Sequence, residues 1–211
     1  MSSKTKRVAA VLTAVVAVSL LAASTSGAAN FTASNYPTTL QGGALKGSGK
    51  FTSEAGSVEC AAESSATLNG QSSTLSTTNT KVTSCSAFGF LTAEIKGEGC
   101  YGVVHLASGS GDSYSGLGDL VCPAGAAVVM TMGTCEVKTF PQTGLGSIQF
   151  TNETAAKRIA VKANVTGIAY TVTKDGIGCP YGGTGAKTGA TLSQSTASQL
   201  ITNNGADSDI G

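Results

Sequence analysis

The chain has 211 residues, no Trp, six Phe, five Tyr, six Cys and a formal net charge of +1. Three of its thirteen basic residues, Lys4, Lys6 and Arg7, lie at the N-terminus, so the remainder holds ten basic against twelve acidic side chains, a net charge near −2. That balance excludes a nucleic-acid surface, which would need a dense basic patch. The cluster Lys157, Arg158 and Lys162 reads instead as the solvated face of a strand.

The first segment has the parts of an export signal in order: a basic start, the uncharged run Val8 to Ala23, and small residues at Ser26-Gly27-Ala28-Ala29. Residues 1–28 are expected to be a signal peptide cleaved after Ala28 or Ala29. The sixteen-residue apolar run is short for a membrane-spanning helix, which needs about 20 residues, and the mature chain is expected to have no membrane partner. Residues 29–202 are expected to form a single domain, and residues 203–211, which lack an apolar pattern, a loose tail.

Period-two alternation dominates the mature chain and predicts strands. In chain order the candidates are Ser57 to Glu63, Leu91 to Lys96, Tyr101 to Ala107, Leu117 to Val121, Ala126 to Met132, Cys135 to Phe140, Ser147 to Thr151, Arg158 to Thr173 and Lys187 to Gln194. Arg158 to Thr173 reads as a strand pair or one long bulged strand. Two dipeptides favour tight hairpins because type I′ turns need positive φ. Asn69-Gly70 would return Ala66-Thr67-Leu68 toward Lys81-Val82-Thr83, and Asp175-Gly176 would fold Ile177 to Tyr181 back onto the preceding strand. No segment after the leader carries a 3.6-residue stripe. The fold class expected is all-β, an antiparallel β-sandwich or barrel-like sheet stapled by disulfides, with no substantial helix after the signal peptide.

An even cysteine count behind an export signal reads as a disulfide framework. Cys60, Cys85, Cys100, Cys122, Cys135 and Cys179 each sit in or near the end of a candidate strand. Fifteen connectivities exist; the sequential pairing Cys60 with Cys85, Cys100 with Cys122 and Cys135 with Cys179 is the expectation. With no Cys-x-x-Cys and a single histidine, neither a metal site nor a redox dithiol is implied, and no cofactor is expected.

Six stretches carry a resemblance: Phe31-Thr32-Ala33-Ser34-Asn35-Tyr36-Pro37, Ser57-Val58-Glu59-Cys60, Ser84-Cys85-Ser86-Ala87-Phe88-Gly89, Gly99-Cys100-Tyr101, Leu120-Val121-Cys122-Pro123-Ala124-Gly125 and Gly167-Ile168-Ala169-Tyr170. In this order the chain resembles a group of exported, six-cysteine, all-β bacterial proteins. The resemblance covers nearly the whole mature chain and implies a secreted all-β fold, with no catalytic residues to carry over.

Candidates for chemistry are few. His105, on the face of Tyr101 and Val103, lacks a Gly-x-Ser-x-Gly elbow and reads as a strand residue. Glu94 with Glu98, or Glu59 with Glu63, would lie about 13 Å apart along a strand, beyond the separation that glycoside hydrolysis uses. Asp112 and Asp119 sit in a Gly-rich stretch without the ligand spacing of an EF-hand. Gly182 to Thr188 departs from a phosphate loop at Tyr181 and Ala186. No catalytic residue is therefore assigned.

The expected function is that of an exported, non-enzymatic structural protein of the cell surface, wall or extracellular matrix. Its partner would be a cell-wall or extracellular polymer. The alternative is a secreted binding module for a small ligand or polymer, with Tyr101, Tyr114, Tyr170 and Tyr181 as anchors; a hydrolase built on acids from separate strands ranks third.

Overall fold

The structure is a computed structural model and describes residues 28–194, 201–202 and 208–211. Of the expected signal peptide, residues 1–28, all but Ala28 lie outside the described residues, as do 195–200 and 203–207. The described chain is all-β apart from one 3₁₀ turn at Thr154–Ala156. Its first strands are β1 (Phe31–Ala33), β2 (Thr38–Ser53), β3 (Gly56–Leu68), β4 (Thr74–Ser76) and β5 (Thr78–Ala87). Next come β6 (Leu91–Lys96), β7 (Tyr101–Ser110), β8 (Ser113–Val121), β9 (Val128–Met132) and β10 (Cys135–Thr139). The chain continues through β11 (Gln142–Glu153), β12 (Arg158–Asp175), β13 (Gly185–Gln194), β14 (Ile201–Thr202) and β15 (Ser208–Ile210).

Eight of these strands close into a barrel. The antiparallel order β10-β9-β6-β5-β3-β2-β13-β12 returns to its start because β12 also pairs with β10. Directly opposed residues share a sheet face, so the register traces the interior strand by strand. Val172 opposes Val137, Val137 opposes Met130, and Met130 opposes Ile95. Ala93, on the same face as Ile95, opposes Cys85; farther round, Ala87 opposes Val58 and Val58 opposes Phe51. Val172, Val137, Met130, Ala93, Cys85, Ala87 and Val58 are buried. An eight-stranded barrel has an interior just wide enough to be filled by side chains, and here Val, Ala, Cys, Met, Ile and Phe fill it. Outward positions on the same strands are polar or charged, among them Glu59, Thr92, Glu94, Lys96, Glu136 and Lys138, so the wall suits water.

A second sheet grows from the same strand. The N-terminal part of β12 pairs with β11, and the order continues β11-β8-β7-β4. One edge of β12 thus serves β11 through Ala163 and β10 from Thr171 onward. In the gap between, the Gln142 side chain takes the place of a neighbouring strand. Its Nε2 donates to the Ala169 carbonyl (2.9 Å), and the Ala169 N–H donates to its Oε1 (2.8 Å).

Asn152 repeats the device at the far end. Its Nδ2 donates to the Ile210 carbonyl (2.9 Å) and the Ile210 N–H donates to its Oδ1 (3.2 Å), with Asn152 itself buried. Here β15 pairs with β1, so Phe31 opposes Ile210 and meets Phe150 edge-on at 5.6 Å between ring centroids. This corrects the expected loose tail: within 203–211, Ser208–Ile210 is a strand with Ser208 and Ile210 buried. Ile210 was the apolar residue that sequence reading left unused.

Two hairpin expectations are also corrected. After Asn69-Gly70 the chain does not return at once: β4 crosses to pair with β7, and only β5 comes back to β3, beginning at Ser65 opposite Thr78. Asp175-Gly176 opens a long loop rather than a two-residue turn, and β13 begins at Gly185, opposite Val172. Cross-links outcompete local turn chemistry there, because Cys179 is bonded to Cys135 and the Gly176 N–H donates to the Thr134 carbonyl (3.3 Å).

The three disulfides are the sequential set, Cys60–Cys85, Cys100–Cys122 and Cys135–Cys179. They join β3 to β5, close the foot of the β7–β8 hairpin, and tie β10 to the β12–β13 loop. With separations of 25, 22 and 44 residues, each contributes about 3 to 4 kcal/mol in the chain-entropy account.

Replacing Gln142 with Ala strands both backbone groups of Ala169, whereas Asn152→Ala strands the buried Ile210 carbonyl and leaves the Ile210 N–H on Asp209 Oδ1 (2.8 Å). Each variant is expected to lose about 1 to 3 kcal/mol, read from urea unfolding.

Candidate functional site

One mouth of the barrel gathers most of the chemistry. Antiparallel pairing around the ring puts four connections on the same rim: the β2–β3 turn at Glu54-Ala55, the β5–β6 turn at Phe88-Gly89-Phe90, the β9–β10 turn at Gly133-Thr134, and the β12–β13 loop from Gly176 to Thr184. The loop carries Tyr181 inward, where it is buried and meets Tyr170 edge-on (5.9 Å); Tyr170 in turn meets Phe51 (6.0 Å). These aromatic contacts plug the mouth with rigid rings.

Polar groups converge on the plug. Lys187, opposite Tyr170 on β13, pairs with Glu54 at 2.7 Å. Glu54 chiefly raises the Lys187 pKa through that hydrogen bond. The Tyr170 and Tyr181 hydroxyls are buried without a hydrogen-bond partner. Burial, above all, pushes both phenols above the ordinary tyrosine range, and the nearby Ser53 hydroxyl offsets part of that effect. Ser53 itself donates to the Gly56 carbonyl at 3.3 Å.

The four tyrosines proposed as ligand anchors therefore do not form one row. Tyr170 and Tyr181 come together, but as the buried plug, so neither presents a surface to a ligand in this conformation. Tyr114, opposite Phe150, is half-buried and packs against the core. Tyr101 alone is exposed, on the outer face of the second sheet.

That outer face holds a pairing that sequence reading missed. The β7–β8 register places His105 opposite Leu117 and Val103 opposite Asp119, so His105 and Asp119 are diagonal neighbours on one face. His105 Nε2 and Asp119 Oδ2 are 2.8 Å apart, and the Gly144 N–H donates to Asp119 Oδ1 at 2.8 Å. The Gly144 amide first, and His105 second, hold the Asp119 carboxyl below the ordinary carboxylate range. A carboxylate that orients an imidazole is two-thirds of a nucleophilic device. Among the described residues, however, no hydroxyl is hydrogen-bonded to the other ring nitrogen, so the pair organises the surface between Tyr101, Val103 and Leu117. The signal that could have found it is the hairpin itself: a turn at Gly111-Asp112 brings position 105 beside positions 117 to 119.

The remaining acids are dispersed. Glu59 pairs with Lys50 at 3.0 Å, Glu94 with Lys96 at 3.3 Å, and Glu136 with Lys174 and Lys138. Glu98 lies in the turn before Cys100.

Comparison with known protein families, with curated proteins and with solved structures returns no match for this chain.

Because no hydrogen bond of the plug hydroxyls is lost, Tyr181→Phe and Tyr170→Phe should leave the protein as stable as before or about 1 kcal/mol more stable. A loss of that size in thermal or urea unfolding would reveal a partner for the phenol.

The Asp119 shift also fixes a sign. A carboxyl with a depressed folded pKa contributes stability that is present above its unfolded pKa, about 4, and lost as pH falls through the folded value. Asp119→Asn should flatten the acid limb of a urea-midpoint profile below about pH 5 and leave its neutral region nearly level.

Proposed function

We propose that the chain is an exported, non-enzymatic protein of the cell surface, wall or extracellular matrix, acting as a rigid scaffold. The observation that carries this reading is the way the sheet is locked. Strands close on themselves in a ring, two disulfides tie neighbouring strands and a loop of that ring while a third closes the foot of the β7–β8 hairpin, and side-chain amides fill the places where pairing lapses. Closure removes sheet edges that would otherwise template aggregation, and cross-links suit an oxidising compartment without chaperones. The resemblance to exported six-cysteine proteins supports export and leaves the role open.

A second reading, a binding module for a small ligand or polymer, is favoured by the outer face of β7 and β8. Exposed Tyr101 and Leu117, with Val103 and the His105–Asp119 pair, make a mixed apolar and polar platform on a sheet. A polymer could lie along it, with Tyr101 as the aromatic contact.

Fractionation of the native host, with the N-terminus read by mass spectrometry, tests both. The scaffold reading expects processed protein beginning at Ala29 or Asn30 and held on the wall or cell surface. Processed protein found free in the medium would sink a wall role and turn attention to Tyr101. An unprocessed, membrane-bound form would overturn export itself.

A further inference from the structure

The plug in the barrel mouth is tied at one end only. The hydrogen bonds of the β12–β13 loop gather at its foot: the Gly176 N–H donates to the Thr134 carbonyl (3.3 Å), the Thr134 hydroxyl to the Ile177 carbonyl (3.0 Å) and the Cys179 N–H to the Gly176 carbonyl (3.0 Å). Cys179 is also bonded to Cys135. Past that point, among the described residues, no backbone hydrogen bond joins Pro180 through Thr184 to a neighbouring element. Pro180, Gly182 and Thr184 are exposed, and a side chain added at Gly182 or Gly183 would meet nothing within 4 Å. Gly183 has φ +111°, a conformation that side-chain-bearing residues rarely adopt, so the link beyond Tyr181 is a glycine hinge. Tyr181, 2% exposed, is thus one buried ring on an otherwise unpacked strap.

Its hydroxyl is as informative as its ring. Buried polar atoms are nearly always hydrogen-bonded, yet the mouth holds two phenol hydroxyls, of Tyr170 and Tyr181, without a partner. The Ser53 hydroxyl lies near both and donates elsewhere, to the Gly56 carbonyl. The rings pack and the hydroxyls do not pair. A ring tethered next to Cys179 is fixed in depth and angle by its own backbone. A free ring of the same kind is not, and can settle where its hydroxyl meets that of Ser53 or Tyr170, each of which both donates and accepts.

Exchange of one ring for another conserves what already closes the mouth. The edge-on contact with Tyr170, and behind it that of Tyr170 with Phe51, is kept, so little apolar burial is lost, and the displaced Tyr181 hydroxyl regains water. Buried Val58, Ala87, Val137 and Val172 fill the rest of the interior, which leaves room for a single ring. We propose that Tyr181 is a removable stopper, and that the mouth it fills is a binding site for a small, single-ring phenol, which takes its place as the strap swings out. Because such a ligand binds the open form alone, it shifts the balance between the two.

The test needs only purified, oxidised protein, so its outcome is independent of the fractionation and of the Tyr101 platform. The chain has five Tyr; labelled with meta-fluorotyrosine it gives one fluorine resonance for each, assigned by replacing each in turn with Phe. The probe is p-cresol, the tyrosine side chain as a free molecule. Its addition should move the Tyr181 resonance toward those of the exposed Tyr36 and Tyr101 and shift that of Tyr170, with Tyr36, Tyr101 and Tyr114 unmoved. p-Cresol should bind about ten-fold more tightly than toluene, which lacks the hydroxyl. Tyr181→Gly, with no stopper to displace, should bind p-cresol about ten-fold more tightly than the natural chain. An unmoved Tyr181 in the natural chain overturns the proposal, even where Tyr181→Gly takes up p-cresol, because that variant then offers only an engineered cavity. Toluene binding as tightly as p-cresol, or equal shifts at all the tyrosines, overturns it too. Should Tyr181→Gly fail to fold, the titration of the natural chain decides alone.

Discussion

The architecture depends on the divided edge of β12. Eighteen residues long, this strand pairs on one side with β13 and on the other with two different strands in succession. Where β11 leaves and β10 takes over, the Ala169 N–H and C=O would otherwise have no partner, and an unpaired backbone group in a sheet costs as much as a lost hydrogen bond. Gln142 answers both groups with one amide. The barrel can close and the second sheet can extend because a side chain stands in for backbone at the fork. Asn152 performs the same substitution where β15 ends the structure. The fold thus grows beyond eight strands at places where an amide side chain completes the ladder.

Alternation made the strands legible, and the fork explains why their arrangement was not. Leu91–Lys96 matches the sequence reading at both ends, and Arg158–Asp175 is one long bulged strand, one of the two alternatives that the apolar spacing over Arg158 to Thr173 left open. Period two reports which face of a strand is buried; it carries no information about which strand lies alongside. Gln142 and Asn152 look like ordinary polar residues in a sequence, since the backbone groups they satisfy lie 27 and 58 residues away. The disulfides were more transparent because cysteines announce themselves as a set to be paired, and sequential pairing is the arrangement that antiparallel neighbours favour. Turn dipeptides misled where a longer-range tie competed, as when Cys179 and Thr134 drew the chain past Asp175-Gly176.

The candidate site was legible in its residues and opaque in its geometry. Tyr170 and Tyr181 are neighbours, as a binding reading would wish, yet tertiary packing turns both inward to close the barrel. His105 and Asp119 were each weighed alone; only the β7–β8 register makes them diagonal partners, and only the approach of Gly144 fixes the carboxylate.

Ala, Val and Cys make up half of the buried apolar residues, and small side chains gain little each from burial, since apolar stabilisation scales with the area removed from water, about 25 cal/mol per Å². The chain makes up the difference with covalent ties, and their placement has consequences for the barrel mouth. The Cys135–Cys179 bond lowers the entropy of the unfolded chain and in the folded state also holds the foot of the loop that carries Tyr181. The tie that stabilises the fold therefore also keeps the plug at the mouth. Stability and closure of the mouth share one constraint, so loosening that foot would release the ring packing of Tyr181.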